Sequence, residues 1–340
     1  MTDVCSAIAR AILYEGYVLW PYRRSALKNR QRWTFGGVYP PAFAAASGGV
    51  DRAVVRAQCV AEIREEGRLE VCARFLHVAS RRVLRATPNG LEAIDELSVD
   101  DRRVLSWEEA IEREARVSLV VGSHGASVTS RIEVSSGSAR EDVCDRGAAL
   151  VGAIERSWEA LTGSISAETE PIASGVTRVT VCLTNDSSWT GLEREAAARR
   201  TFVSAHVALQ MERGAFVSQL DPPPLLADAV AGCRSDGLWP VLVGGEGSRD
   251  EMLASPIILY DYPRIAPESP GDLFDGGEID QLLILNVLSL TDAEKEEMRA
   301  TDPRVGEILD RCASLSTDEL SALHGAIRSL RPTSAAEATS

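Results

Sequence analysis

Apolar and polar positions alternate with a period of two through most of the first two-thirds of the chain. In AVVRAQCVAE (53–62), Val55, Ala57 and Cys59 fall on one face and Arg56 and Gln58 on the other. Residues 69–79 (LEVCARFLHVA) alternate likewise. That period marks strands with one buried face. VSLVVGSHGASVTSRIEV (117–134) predicts a hairpin turning near Gly122–Gly125, and GVTRVTVCLTND (175–186) a strand ending at an Asn-Asp turn. TFVSAHVALQMERGAFVSQL (201–220) predicts a second hairpin around Glu212–Gly214, while WPVLVG (239–244) and SPIILYDY (255–262) read as short buried strands. WEEAIERE (107–114) predicts one short helix between strands.

Helical signals gather late. Thr291-Asp-Ala-Glu294 and Ser316-Thr-Asp-Glu319 have capping-box spacing and predict helices over 292–299 and 317–329, with another near 304–313. The expected fold is α+β, mainly antiparallel and sandwich-like, with a short C-terminal helical segment. SSGSARED (135–142) is the best internal boundary and the prolines at 222–224 a second candidate. A β-rich part over 1–140 would then precede an α+β part over 143–331, with helices from about 276 and a disordered tail at 332–340.

Composition sharpens this picture at two places. All six tyrosines lie in two blocks. Tyr14, Tyr17, Tyr22 and Tyr39 belong to ILYEGYVLWPYRRSALKNRQRWTFGGVYP, together with Trp20, Trp33 and Phe35; Tyr260 and Tyr262 belong to SPIILYDYPRIAPESPGDLFDGGEID. The first block is basic (Arg23, Arg24, Lys28, Arg30, Arg32) and the second acidic (Asp261, Glu268, Asp272, Asp275, Glu278, Asp280). Opposite signs predict that the blocks pack together, with Arg–carboxylate pairs setting the register and aromatics filling the seam. The competing readings are an ordinary aromatic core with surface arginines, an RNA-like surface of interleaved Arg and aromatics, or a protein-docking surface, since Tyr, Trp and Arg are the enriched interface anchors. On the docking reading the partner-binding residues are Tyr17, Trp20, Tyr22, Arg30, Arg32, Trp33, Tyr260, Asp261, Tyr262 and Arg264.

The formal net charge of −14 opposes nucleic-acid binding by the whole chain. No run of 18 apolar residues suggests a membrane span, and MTDVCSAIARAIL lacks the basic start of a signal peptide, so a cytoplasmic location is expected. Seven scattered cysteines without a CxxC read as reduced, mostly buried thiols, and four dispersed histidines give no zinc spacing.

Candidate chemistry is sparse. Ser204 and His206 share a strand face, with Asp221 as a possible third member, but the sharp turn that exposes a hydrolase serine is missing, and two polar groups on a solvated face is the simpler reading. Gly122-Ser-His-Gly125 and Gly244-Gly-Glu-Gly247 read as turns, the latter without the Lys-Ser/Thr of a phosphate loop. Glu193, Arg194 and Glu195 read as a charged, solvated face. Asp272, Asp275, Glu278 and Asp280 could offer oxygen ligands to magnesium or calcium. Yet Asp275-Gly-Gly-Glu278 also has cap spacing ahead of Ile279, Leu282, Leu283, Val287 and Leu290 at helical intervals. No catalytic residue, metal site or cofactor is therefore assigned.

Three segments together carry a resemblance: YEGYVLWPYRRSALKNRQRWTFGG (14–37), REAAARRTFVSAH (194–206) and the second block (255–280). They resemble uncharacterised bacterial proteins, chiefly actinobacterial, associated with nickel–iron hydrogenase gene clusters. Gly277 departs from that likeness, standing where a larger residue is expected. The resemblance implies a non-catalytic accessory or assembly role with hydrogenase subunits or maturation factors as partners. The alternative class is a metal-dependent, hydrolase-like enzyme using the acidic block 261–280.

Overall fold

A computed structural model of the chain describes residues 2–19, 21–24, 26–30, 32–100, 102–264 and 280–315, without the side chains of residues 27, 30, 65, 280–282 and 285. The fold is α+β, with antiparallel strands dominant and a short helical segment near the C-terminus. Its spine is one strand, β1 (Val54–Thr87), into which the two alternating segments 53–62 and 69–79 merge. The strand changes neighbours along its length. One edge is taken first by β10 (Val176–Asn185), then by β5 (Trp107–Val121) and finally by β2 (Gly90–Ile94). The other is taken by β11 (Val203–Phe216) and then by β8 (Leu150–Trp158).

The sheet is completed by β6 (Ala126–Val134), β7 (Gly137–Cys144), β9 (Leu161–Ala173), β12 (Trp239–Leu242) and β13 (Glu251–Ser255), giving eleven strands. β3 (Glu96–Val99) and β4 (Arg102–Leu105) form a separate ribbon. The turn expected at 122–125 joins β5 to β6, but β6 pairs with β9 rather than folding back on β5. The curled sheet therefore closes over one core, in which Phe75 and Phe202 stack with ring centroids 4.4 Å apart. Gly163 permits the closest approach there: a Cβ would sit 2.2 Å from the Thr184 carbonyl oxygen and 2.8 Å from the Phe202 ring. The SSGSARED stretch leads into β7, and β1 pairs with strands from both sides of residue 140.

Three sequence expectations are corrected. Trp107–Glu114 is strand, because its alternating acids answer arginines on neighbouring strands, Arg74 to Glu112 and Arg156 to Glu109. The stretch 201–220 holds one strand, β11, opposite a bulge in β1: β1 carries residues 64–67 opposite only Arg213, so the Glu-Arg-Gly sequence bends β11 without reversing it. Residues 256–262 are not strand; β13 ends at Ser255, just before Pro256.

Helices close the two ends of the sheet. The N-terminal α1 (Asp3–Tyr14) was not anticipated, although Thr2 caps it and Cys5, Ile8, Ala9, Ile12 and Leu13 recur at helical spacing. Its apolar face packs on Ala208, Val241, Val243 and Leu253. Short helices α2 (Pro41–Ala46), α3 (Arg194–Ala198) and α4 (Ala227–Ala231) lie in connections. At the C-terminal end, α5 (Asp280–Leu288), α6 (Asp292–Thr301) and α7 (Pro303–Ser314) follow closely on one another, and the Thr291–Glu294 capping box forms as expected. The helix expected at 317–329, the tail at 332–340 and the proposed cap at 275–278 lie outside the described residues. No helix among the described residues is long and apolar enough to cross a membrane.

Candidate functional site

The first aromatic block is built into the core. Tyr14, Tyr17, Tyr22 and Trp33 join Leu283, Ile284 and Val287 of α5, Met298 of α6 and Val305, Ile308 and Leu309 of α7 in one buried cluster. The aromatics do fill a seam, but its far side is the C-terminal helices rather than the described part of the second block. Tyr17, Tyr22, Arg32 and Trp33 are buried, so they offer no surface to a partner in this conformation. Trp20 and the side chain of Arg30 lie outside the described residues.

Arg32 is the unusual member. Its guanidinium lies 3.7 Å from the Trp107 ring centroid, 4.3 Å from that of Trp33 and 5.6 Å from that of Tyr17. It donates to the carbonyl oxygens of Tyr17 and Glu108. Burial pushes its pKa down to about 10, so it stays cationic at neutral pH. Glu108 gathers the surroundings: its carboxylate accepts from Trp33 Nε1 at 3.0 Å and from Arg199 at 3.0 Å. A second relay ties the helices down. Tyr17 donates to Asp302 Oδ2 at 2.8 Å, Asp302 caps α7, Arg304 donates to the Tyr14 hydroxyl at 2.7 Å, and Tyr14 donates to Glu112 at 2.6 Å.

Residues of the segments 14–37, 194–206 and 255–280 meet at Gly36. Ser204 and Ala205 donate backbone hydrogen bonds to the Phe35 and Gly36 carbonyls. A Cβ on Gly36, whose φ is +54°, would lie 2.7 Å from Pro256 Cγ and 3.3 Å from Ser204 Cα. Gly36→Ala is therefore expected to lose about 2–4 kcal/mol of stability, from left-handed backbone strain and overpacking together. Urea unfolding of the variant checks this.

No ion pair joins the two blocks among the described residues. Arg23 pairs with Glu294, Arg24 with Asp95 and Arg264 with Glu246. Glu268, Asp272, Asp275 and Glu278 lie outside the described residues. Asp261 accepts from the Leu242 amide at 2.8 Å and from Ser218 Oγ at 2.5 Å. Tyr262 donates its amide to the Leu242 carbonyl and its hydroxyl to the Ser248 carbonyl. These bonds fasten one end of the segment 256–262, and Ser255 Oγ bonded to the Ile257 carbonyl fastens the other. Between them Ile257 and Leu259 turn inward against the α1 cluster. Ile258 and Tyr260 turn outward, 73% and 86% exposed. Ile258, Leu259 and Tyr260 form no backbone hydrogen bond among the described residues.

Ser204 and His206 are buried rather than solvated, and no triad forms. His206 Nδ1 faces the Ser204 carbonyl oxygen, its Nε2 has no partner, and Asp221 is exposed. Glu193, Arg194 and Glu195 are exposed, as expected of a charged, solvated face, and from there Arg194 forms a two-pronged pair with Asp51 and donates to the Tyr39 hydroxyl. All seven cysteines are free and four are buried; burial raises the Cys5 thiol to about 12, far from a reactive thiolate. Among the described residues no group of three or more His, Cys, Asp or Glu is placed to hold a metal ion.

A cavity of about 720 Å³ opens beside Arg32, between the first block, β1, the β3–β4 ribbon, the start of β5 and α6. Sequence reasoning missed Arg81, Trp107 and Glu108, which line it. Reading 107–114 as helix hid the last two, and nothing in the local sequence separates Arg81 from other strand arginines. Asp302-Pro303 did carry a signal, a capping Asp before a helix-starting proline.

No family model matches the chain, and no curated protein matches it. Among solved structures, the Salmonella SPI-1 type III secretion injectisome secretin InvG (residues 176–end, open gate state) aligns at 12% identity over 75% of this chain and 76% of that chain. Its TM-score of 0.11 carries no argument.

Proposed function

We propose that this protein is a non-catalytic accessory or assembly factor that docks onto a protein partner through the segment Pro256–Tyr260. One observation carries the reading: a segment fastened at both ends holds two large apolar side chains in solvent, and among the described residues Ile258, Leu259 and Tyr260 form no backbone hydrogen bond. An added strand would supply main-chain hydrogen bonds to that backbone while Ile258 and Tyr260 fill pockets on the partner. Fastening lowers the ordering entropy lost on binding. Trp239, cross-strand from Ser255, adds a half-exposed aromatic at the same end of the sheet. Of the proposed partner-binding residues, Tyr260 is then a contact, Asp261 and Tyr262 are anchors, and Arg264 is a rim charge. Hydrogenase subunits and maturation factors are the first candidates for the partner, on the ground of the family resemblance alone.

Affinity capture from native cell extract, followed by mass spectrometry, tests the reading. Ile258→Asp and Tyr260→Asp are expected to reduce recovery of the partner by about thirtyfold or more, the loss typical of an interface hot spot. Both side chains are exposed, so the variants keep the fold. Recovery of the same partner at undiminished level by both variants would refute docking at this segment.

A further inference from the structure

The cavity beside Arg32 has a chemistry that the docking segment does not use. Two of its wall residues, Arg32 and Arg81, are buried cations, 7% and 6% exposed. Of the two, Arg81 alone has an ion-paired carboxylate among the described residues, Glu109. Arg32 has none within ion-pair distance among the described residues and is held by carbonyl oxygens and aromatic faces. Arg81 donates to the carbonyls of Leu105 and Thr301, with Glu109 no nearer than 3.6 Å and itself held by Arg156. Burial lowers the proton affinity of both guanidinium groups; the charge of Arg81 adds to this at Arg32, and that of Arg156 at Arg81. A buried charge without a counter-charge is costly, and burial of two together is more so.

Glu108 and Asp302 offset part of the burial cost at Arg32, but the wall carboxylates are shared with other donors. Glu96 is held in a two-pronged pair by Arg103 at 2.8 and 2.7 Å, and Glu108 by Trp33 and Arg199. Glu195 and Glu297 come from α3 and α6, while Arg24 and Arg82 add two more guanidinium groups to the lining. The cavity is thus a locally cationic place in a chain of net charge −14. Its volume suits a small organic molecule.

We propose that this cavity is a binding site for a small polyanion, a metabolite whose phosphate or carboxylate oxygens bridge Arg32 and Arg81. Guanidinium groups fixed by carbonyls and rings present their remaining N–H donors without further ordering, which favours two-pronged recognition of such oxygens. Arg82, at the half-open side of the site, acts as an additional contact.

Isothermal titration calorimetry with inorganic pyrophosphate and with citrate, at ionic strength matched with sodium chloride, tests this on the full chain. The expected result is saturable one-site binding of at least one probe. Tighter binding of pyrophosphate identifies a phosphate site, and tighter binding of citrate a carboxylate site. Arg82→Gln, which leaves the buried cluster intact, is expected to weaken binding about tenfold, and Arg32→Lys to weaken it further through loss of the planar fork. Absence of saturable heat with both probes, or equal affinity in wild type and Arg82→Gln together with Arg32→Lys of unchanged far-ultraviolet circular dichroism, would overturn the proposal.

Discussion

Asp302→Ala is expected to lose about 3–4 kcal/mol of unfolding free energy, the sum of a lost helix cap and a buried phenol left without its acceptor. Asp302 is buried at the point where α6 ends and α7 begins. One carboxylate oxygen accepts from the Arg304 amide at 2.9 Å and the other from the Tyr17 hydroxyl at 2.8 Å. The substitution removes both acceptors and leaves Arg304 with less compensation beside the Tyr14 and Tyr17 rings. Tyr17→Phe alone is expected to cost about 1–2 kcal/mol, because the ring remains to pack on Trp33 with centroids 5.5 Å apart. In a double-mutant cycle the two should couple by about 1–2 kcal/mol, since each removes one half of the same hydrogen bond. Urea unfolding of the four proteins measures this. Additivity would mean that the Tyr17–Asp302 hydrogen bond contributes nothing to holding the C-terminal helices to the first block.

Acidification is expected to weaken the fold strongly between pH 6.5 and 4. His77 and His206 are both fully buried, and desolvation lowers each pKa to about 4. Arg113 lowers His77 further and Arg74 lowers His206. The carbonyl of Ser204 opposes the shift at His206; at His77 the backbone of Arg199 and Glu159 opposes it, although neither ring nitrogen reaches full hydrogen-bond geometry. In the unfolded chain both imidazoles titrate near 6.5. Between the two values the unfolded state binds more protons than the folded one, so stability rises with pH. The contribution is complete above about pH 6.5, is lost as pH falls toward 4, and changes little below. Each imidazole accounts for a difference of on the order of 3 kcal/mol across that window. His77→Phe should remove about half of the slope, because Phe fills the site without a titrating group. Denaturant midpoints of wild type and variant at pH 7.5, 6, 5 and 4 decide the matter: parallel curves would mean that His77 is not held neutral by burial.

The residues that were legible in sequence are those whose environment is local. Val55, Ala57 and Cys59 face the core as their alternation requires, and the Thr291–Glu294 box caps α6. What failed depended on neighbours far away in sequence. WEEAIERE has helix-forming residues, yet Glu109 and Glu112 answer arginines on other strands. Glu-Arg-Gly at 212–214 looks like a turn, but the extra residues 64–67 of β1 absorb the bend. The first aromatic block was legible as a place where large side chains are fixed; in the second, Tyr262 is bonded in place while Tyr260 is exposed. Asp302 and Arg304, which fasten the first block to the C-terminal helices, lie in neither; the blocks themselves touch where Gly36 meets Pro256, and most acidic residues of the second lie outside the described residues. Ile258 and Tyr260 read as core from hydrophobicity alone; only the burial of Ile257 and Leu259 on α1 shows which face is left outward.

On the proposed docking reading, the first block, the Asp302 relay and the β1 bulge opposite Arg213 fix a scaffold, and the segment after β13 is what the scaffold presents. Docking by strand addition makes a specific demand on the backbone there. The most direct measurement is amide hydrogen exchange at residues 257–260, in the protein alone and with its captured partner. The account predicts fast exchange at Ile258, Leu259 and Tyr260 in the free protein and strong protection in the complex. Fast exchange at those amides in a complex that is protected elsewhere would contradict it.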